Sequence, residues 1–257
     1  FAIGREVDRT EEFFQMAMVH GYWRNGPVLN NAISGIDQAL WDIKGKRAGM
    51  PVYQLFGGPC REAAACYAHA GGPSIQHCLD SVRALMADGY QHIRVQLGNY
   101  GGLASNRPKP DGARPGAYYD PRDYVRQQLA CFDHLRSELG FEIELLHDIH
   151  ERLSPIDAIG FAKDLERHKL FFLEDALAPE DLPWFAQLRA QCATPLAMGE
   201  LFNNPREWQP LIEARQIDYI RMHVSQMGGL TPARQVATMA AAYGIRTAWH
   251  GPADTSP

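Results

Sequence analysis

Residues 141–202 decide the fold that this sequence predicts; they read FEIELLHDIHERLSPIDAIGFAKDLERHKLFFLEDALAPEDLPWFAQLRAQCATPLAMGELF. The stretch contains three short apolar runs, and each run ends in an acid, at Asp148, Glu174 and Glu200. Successive acids are 26 residues apart (174 − 148 and 200 − 174). Segments with helical spacing lie between the acids, and Ser154 is a typical N-cap for the first of them. A strand, an acid at its carboxyl end and a returning helix form the βα repeat of a parallel sheet.

Three such repeats in register place three carboxylates side by side at one edge of the sheet. Like charges at short range raise one another's pKa, so a carboxylate cluster stays ionised only when a cation lies within it. A ligand set made only of oxygens suits a hard ion, Mg²⁺ before Ca²⁺, and does not suit zinc. Each acid taken alone has a simpler interpretation, as a polar cap of a strand or helix. The equal spacing of all three favours the metal site.

Net charge and cysteine usage narrow the class of protein. The 257 residues carry a formal net charge of −5, with acids and bases spread along the chain, so the sequence predicts neither a nucleic-acid nor a membrane partner. No apolar run has membrane-spanning length. The odd number of cysteines and the lack of a CxxC pair predict a cytoplasmic protein with reduced thiols, and argue against a disulfide framework or a zinc site. The five are Cys60, Cys66, Cys78, Cys131 and Cys192.

Residues 1–58 have the patterns of helices. Residues 9–23 are amphipathic, and residues 31–46 carry apolar side chains on one helical face. Asp37 and Asp42 lie on the second of these helices. We interpret both as structural, because acids on helices are usually solvated or capping.

A Gly-Gly-Pro run at residues 57–59 predicts a domain boundary, which divides the chain into 1–58 and 59–257. The second part alternates between seven strands and six helices, in repeats of about 25 to 35 residues. No GxGxxG sequence follows its first strand, and polar residues end nearly every strand. These features favour a closed β/α barrel over an open doubly wound sheet.

One connection, residues 99–120, is long and rich in glycine and proline. A connection of this length in a compact domain is usually a lid or a binding loop, or else disordered. We favour the functional interpretation.

Further polar side chains are expected at the same edge as the three acids. A buried Arg94 needs an acceptor, which is either a substrate carboxylate or one of these acids. Asp148 and His150 point the same way if the strand continues, whereas His147 then points to the other face and packs between barrel and helix. The complete set is His69, Arg94, Gln96, His147, His150, Arg221, His223 and His250.

The chemistry follows from this set of groups. A divalent ion held by three carboxylates, with histidine and arginine beside it, can bind a substrate carboxylate and stabilise the enediolate formed when the adjacent carbon loses a proton. A base and an acid on either side convert that intermediate by racemisation or by loss of a β-hydroxyl as water.

The sequence resembles the enolase superfamily and, within it, the mannonate dehydratase subgroup of acid-sugar dehydratases. The combination of HDIH, LED and GE at three strand ends carries the resemblance, which extends over nearly the whole chain. The matching stretches are NAISGIDQALWDIKGKRAGMPVYQLFGG, IRVQ, ELLHDIHERLSPIDA, FFLEDALAPED, TPLAMGELFNNPREW, IDYIRMHVSQMGGLT and WHGPADTSP. The resemblance implies a modified TIM barrel, here incomplete after the seventh strand, with an α+β capping domain represented mainly by its helices.

The resemblance also implies roles for individual residues. Asp148, Glu174 and Glu200 would bind Mg²⁺, in a superfamily known for Mg²⁺-stabilised enediolates. His150 would protonate the departing hydroxyl. Arg94 and His250 are further predicted catalytic residues. The predicted substrate-binding residues are His69, Arg221 and Gln96.

The sequence departs from the family pattern in several places. In the dehydratases a tyrosine of the loop after the second strand works with the strand arginine as the base, but Arg107 aligns there. The candidates in this loop are Tyr100, Tyr118 and Tyr119, or none of them. Gln226 also stands where the family commonly has histidine. The amino-terminal capping strands and everything after the seventh strand are missing from the chain.

We therefore predict a cytoplasmic, homo-oligomeric, Mg²⁺-dependent dehydratase of a small sugar acid, mannonate or gluconate, that forms a 2-keto-3-deoxy acid. Two alternatives stay open. One is a catalytically silent relative with a binding or regulatory role, which the missing tyrosine favours. The other is a sugar-acid epimerase, which needs a second base that only His250 can supply.

Overall fold

A computed structural model of the chain describes residues 1–98, 100, 111–112 and 120–251. The chain divides into two compact units, a terminal unit formed by Phe1–Ala64 with Met198–Pro257 and a middle unit formed by Ala65–Ala197. The predicted domains, 1–58 and 59–257, stay a prediction. Of the helices in the described part of the chain, none combines the length and the apolarity that crossing a bilayer requires.

The described residues form strands and helices that alternate along most of the chain. The strands are β1 (Ala68–Gly72), β2 (His92–Leu97), β3 (Glu144–Asp148), β4 (Leu173–Glu174), β5 (Leu196–Met198), β6 (Tyr219–Ile220) and β7 (Arg246–Thr247). The helices are α1 (Thr10–His20), α2 (Pro27–Ala48), α3 (Val52–Leu55), α4 (Ile75–Ala87), α5 (Pro121–Leu139), α6 (Pro155–Asp164), α7 (Phe185–Gln191), α8 (Pro205–Glu213) and α9 (Leu230–Ala242).

The middle unit is a parallel sheet in which strands that follow one another along the chain are also neighbours. β1 pairs with β2, β2 with β3, β3 with β4, and β4 with the first residues of β5, all in parallel. Helices α4 to α7 return the chain between them, with 3₁₀ turns at Leu165–His168 and Pro179–Trp184. The α/β class predicted from the repeat of strand, acid and helix is confirmed.

Helix starts in this unit follow the predicted capping chemistry. The Ser154 side chain accepts a hydrogen bond from the backbone N–H of Asp157, as expected for the N-cap of α6. Asp120 caps α5 in the same way, accepting from the N–H of Asp123. These caps fix where α6 and α5 begin within the unit.

The terminal unit joins α1 and α2 to β6, β7 and their helix. β6 and β7 pair in parallel, with Tyr219 opposite Arg246. Asp37 on α2 is fully buried, and its carboxylate accepts hydrogen bonds from the backbone N–H and the hydroxyl of Thr231 in the first turn of α9. Residue 229, at the N-cap position of α9, is a glycine and has no side-chain acceptor. The Asp37 carboxylate therefore supplies the hydrogen-bond acceptor that an N-cap side chain would provide.

Several elements differ in extent from the prediction. The pattern of residues 63–70 predicts a strand, whereas the first strand lies at Ala68–Gly72 and most of the alanine-rich run before it is exposed. Helix α2 begins at Pro27, four residues before the predicted start at residue 31, because proline suits the first helical turn. Asp42 is exposed and paired with Lys46 at 2.7 Å, whereas Asp37 is structural but buried rather than solvated.

Candidate functional site

Arg94 on β2 and Asp148 at the end of β3 form a buried ion pair in the middle unit. The Arg94 Nη1 donates to Asp148 Oδ2 at 2.8 Å, and the two side chains are 7% and 0% exposed. Burial lowers the pKa of the Arg94 guanidinium, but Asp148, Tyr100 and Glu174 together raise it by more, so the group remains a cation. The acceptor that the sequence required for Arg94 is therefore one of the three acids.

The second terminal nitrogen of Arg94 faces a tyrosine. Arg94 Nη2 donates to the Tyr100 hydroxyl at 2.9 Å and lies 3.4 Å from Nδ1 of His69. Tyr100 follows β2 by three residues in the sequence, and its hydroxyl lies beside the arginine of that strand. Tyr118, Tyr119 and Arg107, together with most of the predicted lid, lie outside the described residues.

His150 reaches this cluster through a left-handed turn. The strand does not continue past Asp148: His150 and Glu151 have φ values of 55° and 58°. The His150 N–H donates to Asp148 Oδ1 at 2.7 Å, and its ring stacks on Tyr100 with centroids 4.0 Å apart. Left-handed backbone at two successive non-glycine residues is costly and concentrates at functional sites.

The end of β4 adds a second buried carboxylate. Glu174 is the register partner of Asp148 and is fully buried. The Tyr67 hydroxyl, just before β1, donates to Glu174 Oε2 at 3.3 Å. Sequence reasoning missed Tyr67; its only signal was a position two residues before His69, on the same side of an extended segment.

Charge and donor type at this edge suit a hard cation. Asp148 and Glu174 are two buried carboxylates, and Arg94 supplies a single positive charge beside Asp148. The donors are oxygens, which Mg²⁺ prefers. These residues of the middle unit therefore fit the metal that the sequence predicted.

Gln96 lies two residues beyond Arg94 and on the same side of β2. Its side chain is buried, and neither its amide nitrogen nor its amide oxygen has a hydrogen-bond partner among the described residues. Buried amides are normally hydrogen-bonded, so an unsatisfied one at a strand end suits a polar ligand.

His147 lies where the sequence placed it, on the face opposite Asp148. It is fully buried between β3 and α5, where its Nε2 accepts from the Tyr124 hydroxyl at 2.8 Å. The Val95 carbonyl can only accept, so the proton of the ring is on Nδ1, 2.8 Å away. Burial lowers the pKa of His147 to about 4, which keeps the ring neutral. We conclude that His147 is a packing residue that holds β3 in place.

The terminal unit brings together a second group of predicted residues: Glu200, His223 and His250. Glu200 Oε2 lies 3.6 Å from His250 Nε2, and Glu200 Oε1 lies 4.0 Å from His223 Nε2. The two imidazole rings stack with centroids 3.6 Å apart and an angle of 29° between their planes. The sequence had placed His223 at this edge without a role.

Backbone contacts fix this second group. Gly199 has a φ of 140°, and a Cβ there would lie 2.8 Å from the carbonyl oxygen of Arg221, so the chain before Glu200 needs glycine to lie this close to β6. The N–H of Arg221 donates to the Met198 carbonyl at 2.8 Å, and the N–H of His250 donates to the Met222 carbonyl at 3.1 Å. The three side chains therefore project from backbone that is held by hydrogen bonds on both sides of Arg221.

Comparisons with known proteins agree with this architecture. Residues 77–257 match the family described as enolase C-terminal domain-like, and residues 2–57 match the mandelate racemase / muconate lactonizing enzyme N-terminal domain. A crystal structure of an enolase from Pantoea ananatis, with bound D-gluconate and Mg, superposes with a TM-score of 0.93. It is 52% identical in sequence, over 98% of this chain and 65% of that one.

Two curated relatives are similar over nearly the whole of this chain. A D-galactonate dehydratase family member, RspA, from Pantoea ananatis is 53% identical over 274 residues, covering 100% of this chain and 66% of the relative. A D-galactonate dehydratase family member from Enterococcus gallinarum is 53% identical over 254 residues, covering 99% and 63%. The chain thus spans slightly less than two thirds of the length of these proteins.

The predicted fold class, the modified TIM-barrel fold of this family, is confirmed by these matches and by the parallel βα repeats. With strand-end acids on βα repeats, and family matches to both the N-terminal and the C-terminal domain, the chain belongs to the enolase superfamily.

Proposed function

We propose that this chain carries the active site of a Mg²⁺-dependent dehydratase that converts a six-carbon sugar acid, mannonate or gluconate, to a 2-keto-3-deoxy acid. The relatives named as dehydratase family members and the gluconate and Mg in the Pantoea ananatis structure support the class. The observation that carries the proposal is the Arg94 guanidinium, which joins Asp148 on one side to Tyr100 on the other. A cytoplasmic location, a homo-oligomeric state and the mannonate subgroup stay predictions.

Asp148, Glu174 and Glu200 would hold the metal ion. The first two are buried oxygen donors with more negative charge than Arg94 balances, which is an environment that fits Mg²⁺. When bound, the ion would supply the positive charge that stabilises a substrate carboxylate and the enediolate derived from it.

Tyr100 is the residue that best suits the role of base. Its hydroxyl accepts a hydrogen bond from Arg94, so the guanidinium stabilises negative charge on the phenol oxygen. Tyr100 would remove the proton from the substrate carbon next to the carboxylate. This assigns to Tyr100 the role that the dehydratases give to a tyrosine later in the same loop.

His150 would act as the acid. Its ring stacks on Tyr100, so the base that follows β2 and the acid that follows β3 are neighbours. His150 would donate a proton to the hydroxyl on the β-carbon, which leaves as water with the electron pair of its C–O bond. The resulting enol rearranges to the 2-keto product.

The other predicted contacts would bind the substrate. Gln96 offers a buried amide with an unused donor and acceptor, which suits a sugar hydroxyl. His69 lies beside Arg94, and Arg221 and His250 lie at the strand ends of the terminal unit. We assign His69, Arg221 and Gln96 to substrate binding and His250 to the catalytic group.

The test is a panel of acid sugars with the purified intact protein and Mg²⁺, scored by formation of a 2-keto acid. We expect turnover of mannonate or gluconate, its loss in Glu174→Gln, and a decrease in kcat of about 10² to 10⁴-fold in Tyr100→Phe. Tyr90→Phe, a change at an exposed tyrosine of the same unit, should leave kcat unaltered.

Two outcomes would contradict the proposal. If no acid sugar gives product, the catalytically silent relative is the better description. If Tyr100→Phe keeps full activity while Glu174→Gln is inactive, the dehydratase stands but another group is its base.

A further inference from the structure

We propose that Glu200, His223 and His250 form a second metal site, which takes Zn²⁺ or a similar first-row transition ion. This site has a nitrogen-rich ligand set and differs from the all-oxygen site assigned above to Mg²⁺, with which it shares only Glu200. All three residues belong to the terminal unit. The part of the proposal that concerns competition with Mg²⁺ rests on the proposed function, and the binding itself does not.

The spacing of the three side chains suits a tetrahedral ion. One ligand atom from each residue lies within 4.8 Å of the other two. The two distances from Glu200 oxygens to the histidine nitrogens are 3.6 and 4.0 Å. Ligands of a tetrahedral zinc ion with bonds of about 2.1 Å lie about 3.4 Å apart, whereas adjacent octahedral ligands at the same bond length lie about 3.0 Å apart. The observed separations start from different oxygens of Glu200 and are longer than both values, but they are nearer to the tetrahedral one, so rotation of the side chains would close the site.

The donor types point to the same class of ion. Two imidazoles and one carboxylate, with a fourth position left to water, are the ligands of open zinc sites. Imidazole suits zinc, copper, iron and nickel, whereas Mg²⁺ prefers oxygen donors and keeps several waters. The lack of a CxxC pair argued against zinc, but these ligands come from three separate strand ends that no short motif can reveal.

The site is accessible and held in position. The side chains of His223, His250 and Glu200 are 13%, 19% and 20% exposed, so an ion and a water molecule can reach them. The hydrogen bonds of Arg221 to Met198 and of His250 to Met222 fix the backbone from which the ligands project. Binding therefore needs rotation of side chains only, which keeps its entropic cost low.

Glu200 cannot serve both ions in the same way. An ion held by His223 and His250 would withdraw a Glu200 oxygen from Mg²⁺, and two divalent ions around one carboxylate repel each other. Transition ions bind nitrogen-containing sites more tightly than Mg²⁺ does. We infer that Zn²⁺ inhibits the Mg²⁺-dependent reaction at concentrations far below those of Mg²⁺.

Co²⁺ is a direct probe of this site, because four-coordinate Co²⁺ absorbs visible light much more strongly than six-coordinate Co²⁺. The titration uses the intact protein with Cys60→Ser and Cys66→Ser, since both thiols are exposed and would bind the ion themselves. We expect a strong visible band that saturates at one equivalent of Co²⁺ and is removed by Zn²⁺. His223→Gln should abolish the band and weaken Zn²⁺ binding by about 100-fold or more. Loss of a direct ligand costs at least as much affinity as loss of a group that hydrogen-bonds to a ligand.

His20→Gln is the matched control. It removes a histidine of the same unit that lies on α1, away from the three ligands in sequence, and should leave the band and the Zn²⁺ affinity unaltered. A weak six-coordinate spectrum, or a strong band that persists in His223→Gln, would overturn the proposal. Neither readout requires turnover, so failure of the dehydratase assignment leaves this result intact. If the band appears but Mg²⁺ does not weaken Co²⁺ binding, the sharing of Glu200 is wrong.

Discussion

Two buried arginines of the middle unit, Arg94 and Arg136, have nearly the same exposure but hydrogen-bond to different kinds of group. Arg94 is 6% exposed and Arg136 is 8% exposed. Arg94 faces a carboxylate and a phenol at the carboxyl ends of the strands. Within the described part of the chain, Arg136, on α5, donates only to backbone carbonyls, those of His168, Lys169, Gly140 and Ile143.

The difference in partners distinguishes an arginine of the candidate site from an arginine that stabilises the fold. Burial lowers the pKa of Arg136 and the charge of Glu144 offsets this only in part, whereas the anionic groups around Arg94 raise its pKa overall. Carbonyl oxygens satisfy the Arg136 donors without adding charge, so that site ties the segments leading into β3 and β4 to α5. Arg94 is held among anions that a metal ion and a substrate could also engage. Burial alone therefore does not distinguish the arginine that we propose for catalysis from a structural one; the charge of the partners does.

The largest expected effect follows from removing the charge of Arg94. Arg94→Gln should lower kcat by about 10³-fold, because the group that orients and polarises Tyr100 is lost. The variant should also unfold at a lower temperature without Mg²⁺ and recover most of the difference with it, since the ion replaces the missing positive charge near Asp148. Steady-state kinetics and thermal unfolding with and without Mg²⁺ measure both. Full activity in the variant would show that Arg94 does not take part in catalysis.

The corresponding change at Arg136 should affect stability and not catalysis. Arg136→Met leaves the buried carbonyls of His168 and Ile143 without donors, at a cost of about 4 kcal/mol in the free energy of unfolding. Mg²⁺ should not restore this loss, and kcat of the folded fraction should be unaltered. Urea unfolding of Arg136→Met beside Arg136→Lys, which keeps some donors, gives the measurement. If Mg²⁺ restored the stability of Arg136→Met, the proposed difference between the two arginines would be wrong.

Asp37 extends the comparison to a buried anion of the terminal unit. Asp37→Ala removes the acceptor for the N–H and hydroxyl of Thr231, and we expect a loss of about 2 to 3 kcal/mol in the free energy of unfolding. Asp42→Ala, at an exposed ion pair on the same helix, is the control and should cost under about 1 kcal/mol. Similar losses in the two variants would show that Asp37 is not an anchor for α9.

The smallest effect is a pH dependence at Asp37. Burial raises the pKa of this carboxyl above the usual 3.8, although the hydrogen bonds from Thr231 lower it in part. The folded state therefore binds the proton more tightly than the unfolded state, and the associated stability is present below pH 3.8 and is lost as the pH rises through the raised pKa. Asp37→Asn cannot titrate, so its deficit relative to the unmodified protein should shrink as the pH rises through that window. A deficit that grows instead would mean the opposite sign of shift.

Local patterns in the sequence were sufficient for much of the fold. The run of apolar residues, acid and helix predicted parallel βα repeats, and Ser154 was found as a cap, because both signals depend on neighbouring residues. The need of Arg94 for an acceptor was also foreseeable, since a buried guanidinium is unstable without one. The match to the superfamily over both of its domains agrees with these local signals.

The sequence by itself determined the repeat, the strand-end acids and the family, because periodicity, capping and motif spacing are written in adjacent residues. Only the tertiary structure decided that Tyr100 meets Arg94, that His150 turns left-handed onto Tyr100, and that His223 stacks on His250. It also showed that Arg136 is a structural donor to four carbonyls. These contacts depend on where backbone turns direct side chains from separate strands and helices, and no short stretch of sequence contains that information.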